Sequence, residues 1–77
     1  MKILVLGTGC QKCKRVEKVV RDVVDEHGIE ASVEKVEDMM EIMQYGVMMT
    51  PAVVVDGKVV VKGRVPSAKE ILSVLQA

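Results

Sequence analysis

Gly7-Thr8-Gly9-Cys10-Gln11-Lys12-Cys13 decides how this chain reads. The stretch holds both cysteines of the 77 residues and joins an apolar run, Lys2 to Leu6, to an amphipathic segment that starts at Gln11. Regular helix keeps side chains at i and i+3 roughly 5 to 6 Å apart at Cβ, whereas a disulfide needs roughly 3.8 Å. Cys10 is therefore expected at the half-helical cap, with Cys13 inside the first turn. A thiolate at the cap faces unsatisfied backbone N–H groups and the positive end of the helix dipole, which favours the ionised sulfur. The pattern is that of a dithiol reaction site in which Cys10 attacks and Cys13, shielded one turn deeper, resolves the mixed disulfide.

Two other uses of the same sulfurs compete with this one. A structural staple gains little here, because closing four residues barely restricts the unfolded chain. A soft-metal site is the stronger alternative, since two thiolates suit Cu(I) or a shared Zn(II).

Composition narrows the setting. Apolar residues make up 49% and charged residues 29% of the chain, a globular balance, and the length allows one domain, residues 1–77. Eleven basic and eleven acidic residues cancel, and Tyr45 is the sole aromatic. There is thus neither a phosphate-tracking basic surface nor a base-stacking platform, and nucleic acid is not an expected partner. No apolar run reaches membrane-spanning length, and Met1 leads directly into a strand rather than a signal core, so a cytoplasmic protein without a membrane partner is expected. In a reducing compartment an isolated cysteine pair is more often catalytic or metal-binding than structural.

Around the dithiol the elements follow in order. Lys2 to Leu6 reads as a central strand covered on both faces. Gly7 and Gly9 give the backbone freedom to turn into the helix. A lone GxG is weak evidence for a phosphate loop, and the third glycine of the dinucleotide fingerprint is missing. From Gln11 to His27, Val16, Val19, Val20, Val23 and Val24 form one helical face, and Gly28 stops the helix. Lys12, Lys14 and Arg15 lie at its start and Asp25 and Glu26 at its end, against the dipole. Glu17 with Arg21 and Lys18 with Asp22 are spaced to offset this, and the early cations are placed to favour a Cys10 thiolate. Ile29 to Val36 alternates as a half-buried edge strand, parallel to the first through a right-handed crossover. The sulfurs then lie at the carboxyl end of the first strand, where open α/β sheets carry their sites.

Glu37 to Gln44 or Tyr45 reads as a short helix, with Met39, Met40, Ile42 and Met43 as adaptable core or contact surface rather than a copper-thioether site. His27 reads as a capping or solvated residue. Ala52 to Val55 and Lys58 to Val61 flank Asp56-Gly57 as a hairpin, with Pro51 opening its first strand. Ser67 and Glu70 suggest a capping box for a last helix whose buried face is Ile71, Leu72 and Leu75.

A CxxC at a strand-to-helix junction, Thr50-Pro51 before a strand, an Asp-Gly hairpin and a closing helix together resemble the thioredoxin fold. The Gly-Thr-Gly-Cys start and the length are similar to the small redox-active disulfide proteins of archaea and bacteria, close to both thioredoxin and glutaredoxin. The resemblance implies an α/β domain in the order β-α-β-α-β-β-α, with a four-stranded mixed sheet and three helices. It implies a thiol-disulfide oxidoreductase in which Cys10 is the nucleophile and Cys13 resolves. It also implies a cis Thr50-Pro51 bond that lets Thr50 pair with a substrate, and Lys12 between the sulfurs joins these two as a candidate substrate contact. No cofactor or metal is implied. The expected partners are a disulfide-bearing protein or small thiol and an electron-donating reductase. The runner-up, a heavy-metal-associated chaperone of Cu or Zn, shares the CxxC but ends in a strand where this chain reads as helix. Gly63 is followed by Arg64, Val65 and Pro66, not by the paired glycines and aspartate that glutaredoxins use for glutathione.

Overall fold

A computed structural model of the chain describes residues 1–7 and 11–76. In chain order it contains β1 (Lys2–Leu6), α1 (Gln11–Glu26), β2 (Ser32–Val36), α2 (Met39–Gln44), β3 (Ala52–Val55), β4 (Lys58–Lys62) and α3 (Ala68–Gln76). The four strands form one mixed sheet in the order β2-β1-β3-β4, with β1 parallel to β2 and antiparallel to β3. This is the thioredoxin-like α/β architecture that the resemblance implies.

The apolar run of β1 is explained by its two covered faces. Ile3 and Val5 join a cluster with Val16, Val20 and Val23 of α1, Val53 and Val61 of the sheet, and Ile71 and Leu75 of α3. Leu4 and Leu6 join Ile42, Val47, Ala52 and Val54 on the opposite side. Valine gives up at most about 0.7 kcal/mol in a helix, whereas burying its side chain contributes about 1.5 kcal/mol or more. Packing on the sheet therefore decides that α1 is a helix.

Local chemistry sets the ends. α1 closes at Gly28, whose φ is 58°. Ile29 N–H reaches the Val24 carbonyl (3.0 Å) and Gly28 N–H the Asp25 carbonyl (3.4 Å), the paired bonds of a Schellman close. Ile29 is thus used in ending α1, and the second strand starts at Ser32, later than the Ile29 expected from alternation. Asp38 caps α2 by accepting from the Met40 N–H at 2.9 Å, which leaves Glu37 outside a helix expected to include it. The Ser67 hydroxyl accepts from the Glu70 N–H (3.2 Å), but the Glu70 carboxylate is held by both terminal nitrogens of Arg64 at 2.7 and 2.5 Å. The expected reciprocal capping box is therefore replaced by a single cap and an ion pair. Of the two offsetting pairs expected on α1, Glu17–Arg21 forms at 3.1 Å; among the described residues Lys18 and Asp22 form no ion pair.

The hairpin turns on Asp56 (φ 50°) and Gly57 (φ 83°). Positive φ at both central residues is the twist-matched two-residue turn. β3 and β4 change register between Val53, opposite Val61, and Val54, opposite Val59, so Val60 is an extra residue in β4. Val60 and Val61 accordingly pack toward the same cluster.

Candidate active site

Three segments converge where β1 ends. Gly7 follows β1 and donates its N–H to the Val36 carbonyl at 2.9 Å, extending the β1–β2 ladder by one bond. Cys13 sits in the first turn of α1 and is 1% exposed. A Cβ built on Gly7 would overlap the Cys13 Sγ and stand 3.0 Å from the Cys13 Cβ. The sulfur thus lies directly against the main chain at the carboxyl end of β1. Sequence reasoning assigned Gly7 to a turn, yet its φ is outside the left-handed region occupied by Gly28, Gly46, Gly57 and Gly63. Room for Cys13 is the reason for glycine here.

The antiparallel pairing of Leu6 with Ala52 brings the residues before β3 to the same end of the sheet. The Thr50–Pro51 peptide is cis. Pro51 is buried, its carbonyl accepting from the Gly63 N–H at 2.8 Å, and Thr50 is half-buried. Lys12 is exposed on the first turn of α1. The structure thus gathers Cys13, Thr50 and Pro51 at one end of the sheet and leaves Lys12 in solvent. Cys10, with Thr8 and Gly9, lies outside the described residues, so its expected cap position is not described.

Lys35 is the residue that sequence reasoning missed. Strand alternation continues from Val33 to Lys35, so this lysine emerges on the α1 side of the sheet. Its ammonium lies 3.1 Å from Glu37 and 4.0 Å from Glu17, and its side chain is 28% exposed. Glu17 stands one helical turn after Cys13. The hydrogen bond to Glu37 holds the Lys35 ammonium above its ordinary range, opposed by partial desolvation and aided by attraction to Glu37, Glu17 and Cys13. A lysine in the inward phase of an otherwise apolar alternation was the available sign.

The methionines expected as core or contact surface are surface. Ile42 is the buried residue of α2. Met39, Met43 and Met48, with Ile42, Val47 and Thr50, line a groove of about 190 Å³. His27 is exposed, and among the described residues no cluster of three or more His, Cys, Asp or Glu side chains could hold a metal ion. No described helix is long and apolar enough to cross a membrane.

The sheet order and the thiol tucked behind the β1–α1 junction define a thioredoxin-like α/β domain. A family model described as a thioredoxin domain matches residues 1–76, and the chain belongs to that family. It is 43% identical over 75 residues to a thioredoxin of Methanothermobacter thermautotrophicus, covering 97% of each chain. It is 40% identical over 75 residues to a thioredoxin of Methanocaldococcus jannaschii, covering 97% of this chain and 86% of that one. Thiol-disulfide oxidoreduction is the kind of function this membership supports.

Proposed function

We propose that the chain reduces disulfides in partner molecules through Cys10 and Cys13, as a cytoplasmic dithiol protein that needs no cofactor of its own. The Cys10 thiolate attacks one partner sulfur; the partner disulfide breaks and its other sulfur leaves as a thiolate that takes up a proton. The Cys13 thiolate then attacks the Cys10 sulfur, forming the Cys10–Cys13 bond and expelling the second partner sulfur. Two electrons pass to the partner, and an electron-donating reductase returns the protein to the dithiol. Thr50 supplies main-chain contacts to the incoming chain, with Pro51 shaping that edge and Lys12 adding a solvent-side contact.

The observation that carries this reading is the burial of Cys13 against Gly7, three residues after the other cysteine. A sulfur so enclosed is poorly placed to meet a large partner directly but well placed to attack a sulfur bound to its neighbour.

The test is trapping. Cys13→Ser has no internal route to release, so it should accumulate mixed disulfides with partner proteins in a cell extract, and Cys10→Ser should accumulate far fewer. Equal trapping by both variants rejects the roles. If neither variant traps a partner and the wild type purifies with about one Cu or Zn held by both thiolates, metal binding replaces these roles.

A further inference from the structure

α1 carries its charge in two blocks. Lys12, Lys14, Arg15 and Lys18 stand exposed in its first two turns, with Glu17 among them, whereas Asp22, Asp25 and Glu26 stand exposed in its last two, with Arg21. We infer that the cationic block is a docking surface for acidic polypeptides: it steers a partner whose disulfide is bordered by aspartate and glutamate onto the dithiol, and it disfavours a basic one. The inference rests on the proposed oxidoreductase reading and names the charge class of its partner.

Three observations carry it. The first is that these cations are not used inside the molecule. Among the described residues Lys12, Lys14, Arg15 and Lys18 form no ion pair. The carboxylate among them, Glu17, is taken by Arg21 at 3.1 Å and Lys35 at 4.0 Å. Lys14 and Lys18 are like charges one turn apart, a spacing that destabilises a helix. The second is direction. A helix gains from carboxylates at its start and cations at its end, and α1 has neither. Its side chains add to the backbone dipole instead, over 16 residues or about 24 Å, and the positive end of the resulting field is the dithiol end. The zero net charge of the chain hides this separation, which favours approach of an anionic surface with the dithiol leading. The third is that the opposing charge at this end is largely spent. Glu37, Asp38 and Glu41 border it from the α2 side, but Glu37 is bound to Lys35 at 3.1 Å and Asp38 caps α2 through the Met40 N–H. The charge left uncompensated beside Cys13 is therefore positive. Four cations spread over about 9 Å of helix match several carboxylates of a polypeptide surface better than one small anion, and no aromatic side chain stands among them for a base to stack on.

The experiment uses the reduced full chain in single turnover, with three oxidised probes at concentrations below saturation. The first is a peptide whose internal disulfide is flanked by aspartate and glutamate. The second carries lysine at the same positions, and the third is the small neutral hydroxyethyl disulfide. At low ionic strength the acidic peptide should be reduced about tenfold faster than the basic one, and the ratio should fall toward one at about 1 M salt, where charges are screened beyond about 3 Å. The double variant Lys14→Glu/Lys18→Glu replaces two exposed side chains and opposes the helix dipole, so it should fold and melt no lower than wild type, which circular dichroism verifies. It should abolish or invert the preference between the peptides. Cations near Cys10 also act on its thiolate, so rates are read against hydroxyethyl disulfide: the acidic peptide should slow several-fold more than this uncharged probe. Equal reduction of the two peptides by wild type, a ratio unmoved by salt, or a variant that slows all three probes alike overturns the inference and leaves the oxidoreductase reading in place. A wild type that reduces none of the three overturns that reading and this inference with it.

Discussion

Gly7 and Cys13 share one space: the place a Cβ would take on Gly7 is filled by the sulfur of Cys13. Gly7→Ala therefore forces either the strand end or the first turn of α1 to move. We expect it to cost about 1 to 3 kcal/mol, the range for an added methyl group in a packed site. In a Cys13→Ala background the sulfur is gone and only the 3.0 Å approach to Cβ remains, so the same substitution should cost less. Urea denaturation of the four proteins gives the coupling directly. Additive effects mean that the sulfur does not occupy this space in solution.

Lys35 makes a prediction about pH. A cation beside a thiol favours the thiolate, so Lys35→Met should raise the pKa of Cys13, and Lys35→Arg should leave it nearer the wild-type value. Thiolate absorbance in a Cys10→Ser background reads this titration. The sign for stability follows from the raised Lys35 pKa. Its contribution is fully present below the ordinary lysine range and is lost as pH rises through the higher folded value. The difference in urea midpoint between wild type and Lys35→Met should hold through neutral pH and shrink only in strong alkali. A Cys13 titration identical in all three proteins separates Lys35 from the site.

Arg64 and Glu70 predict the opposite dependence at the start of α3. The hydrogen bond to Arg64 lowers the Glu70 pKa, against some desolvation and with further help from the Arg64 charge and the Ser67 N-cap region. Stability from a depressed carboxyl is present above its unfolded value and lost as pH falls through the folded one. Glu70→Gln should therefore be less stable than wild type at neutral pH and converge with it in acid. The pair is exposed, so the effect should be small and weaken with salt. A gap that persists below the carboxylate range would assign it to packing.

Asp56 holds two features together. Its N–H donates to the Lys2 carbonyl and its Oδ1 accepts from the Lys2 N–H, both at 2.8 Å, while its φ is positive. Asp56→Gly keeps the turn geometry and loses only the side-chain bond, costing about 1 kcal/mol. Asp56→Ala loses the bond and also strains the left-handed backbone by about another 1 kcal/mol. Thermal melts of the two variants should rank alanine below glycine. The reverse order would remove the turn from the account.

Much of this molecule is legible as pattern because pattern and cause coincide there. Four apolar residues between Lys2 and Gly7 with no alternation can only be a strand covered twice, and valines at helical spacing in α1 can only face the sheet. Asp56-Gly57 carries its own turn geometry. What stayed hidden depends on atoms brought together from afar. Nothing local to Gly7 says that its neighbour is a sulfur six residues on, and Glu70 follows Ser67 at the capping-box spacing while its carboxylate is taken by Arg64. The α2 methionines were ambiguous for a different reason: at six residues the helix is too short for periodicity to separate its buried side from its exposed one. Cys10 was read from spacing and dipole alone, and trapping is what tests it.

The extra residue at Val60 also bears on what the protein does not do. β4 is an outer strand, and a valine-rich outer strand is a template on which another chain can extend the sheet. Two valines turned to one side break the two-residue repeat that such an extension needs, and Lys58 and Lys62, both exposed, place a charge at each end of the strand. The fold thereby limits its own growth into fibres. The exposed methionines of α2 and the segment after it leave an apolar side-chain face on the molecule without a matching apolar backbone edge at β4.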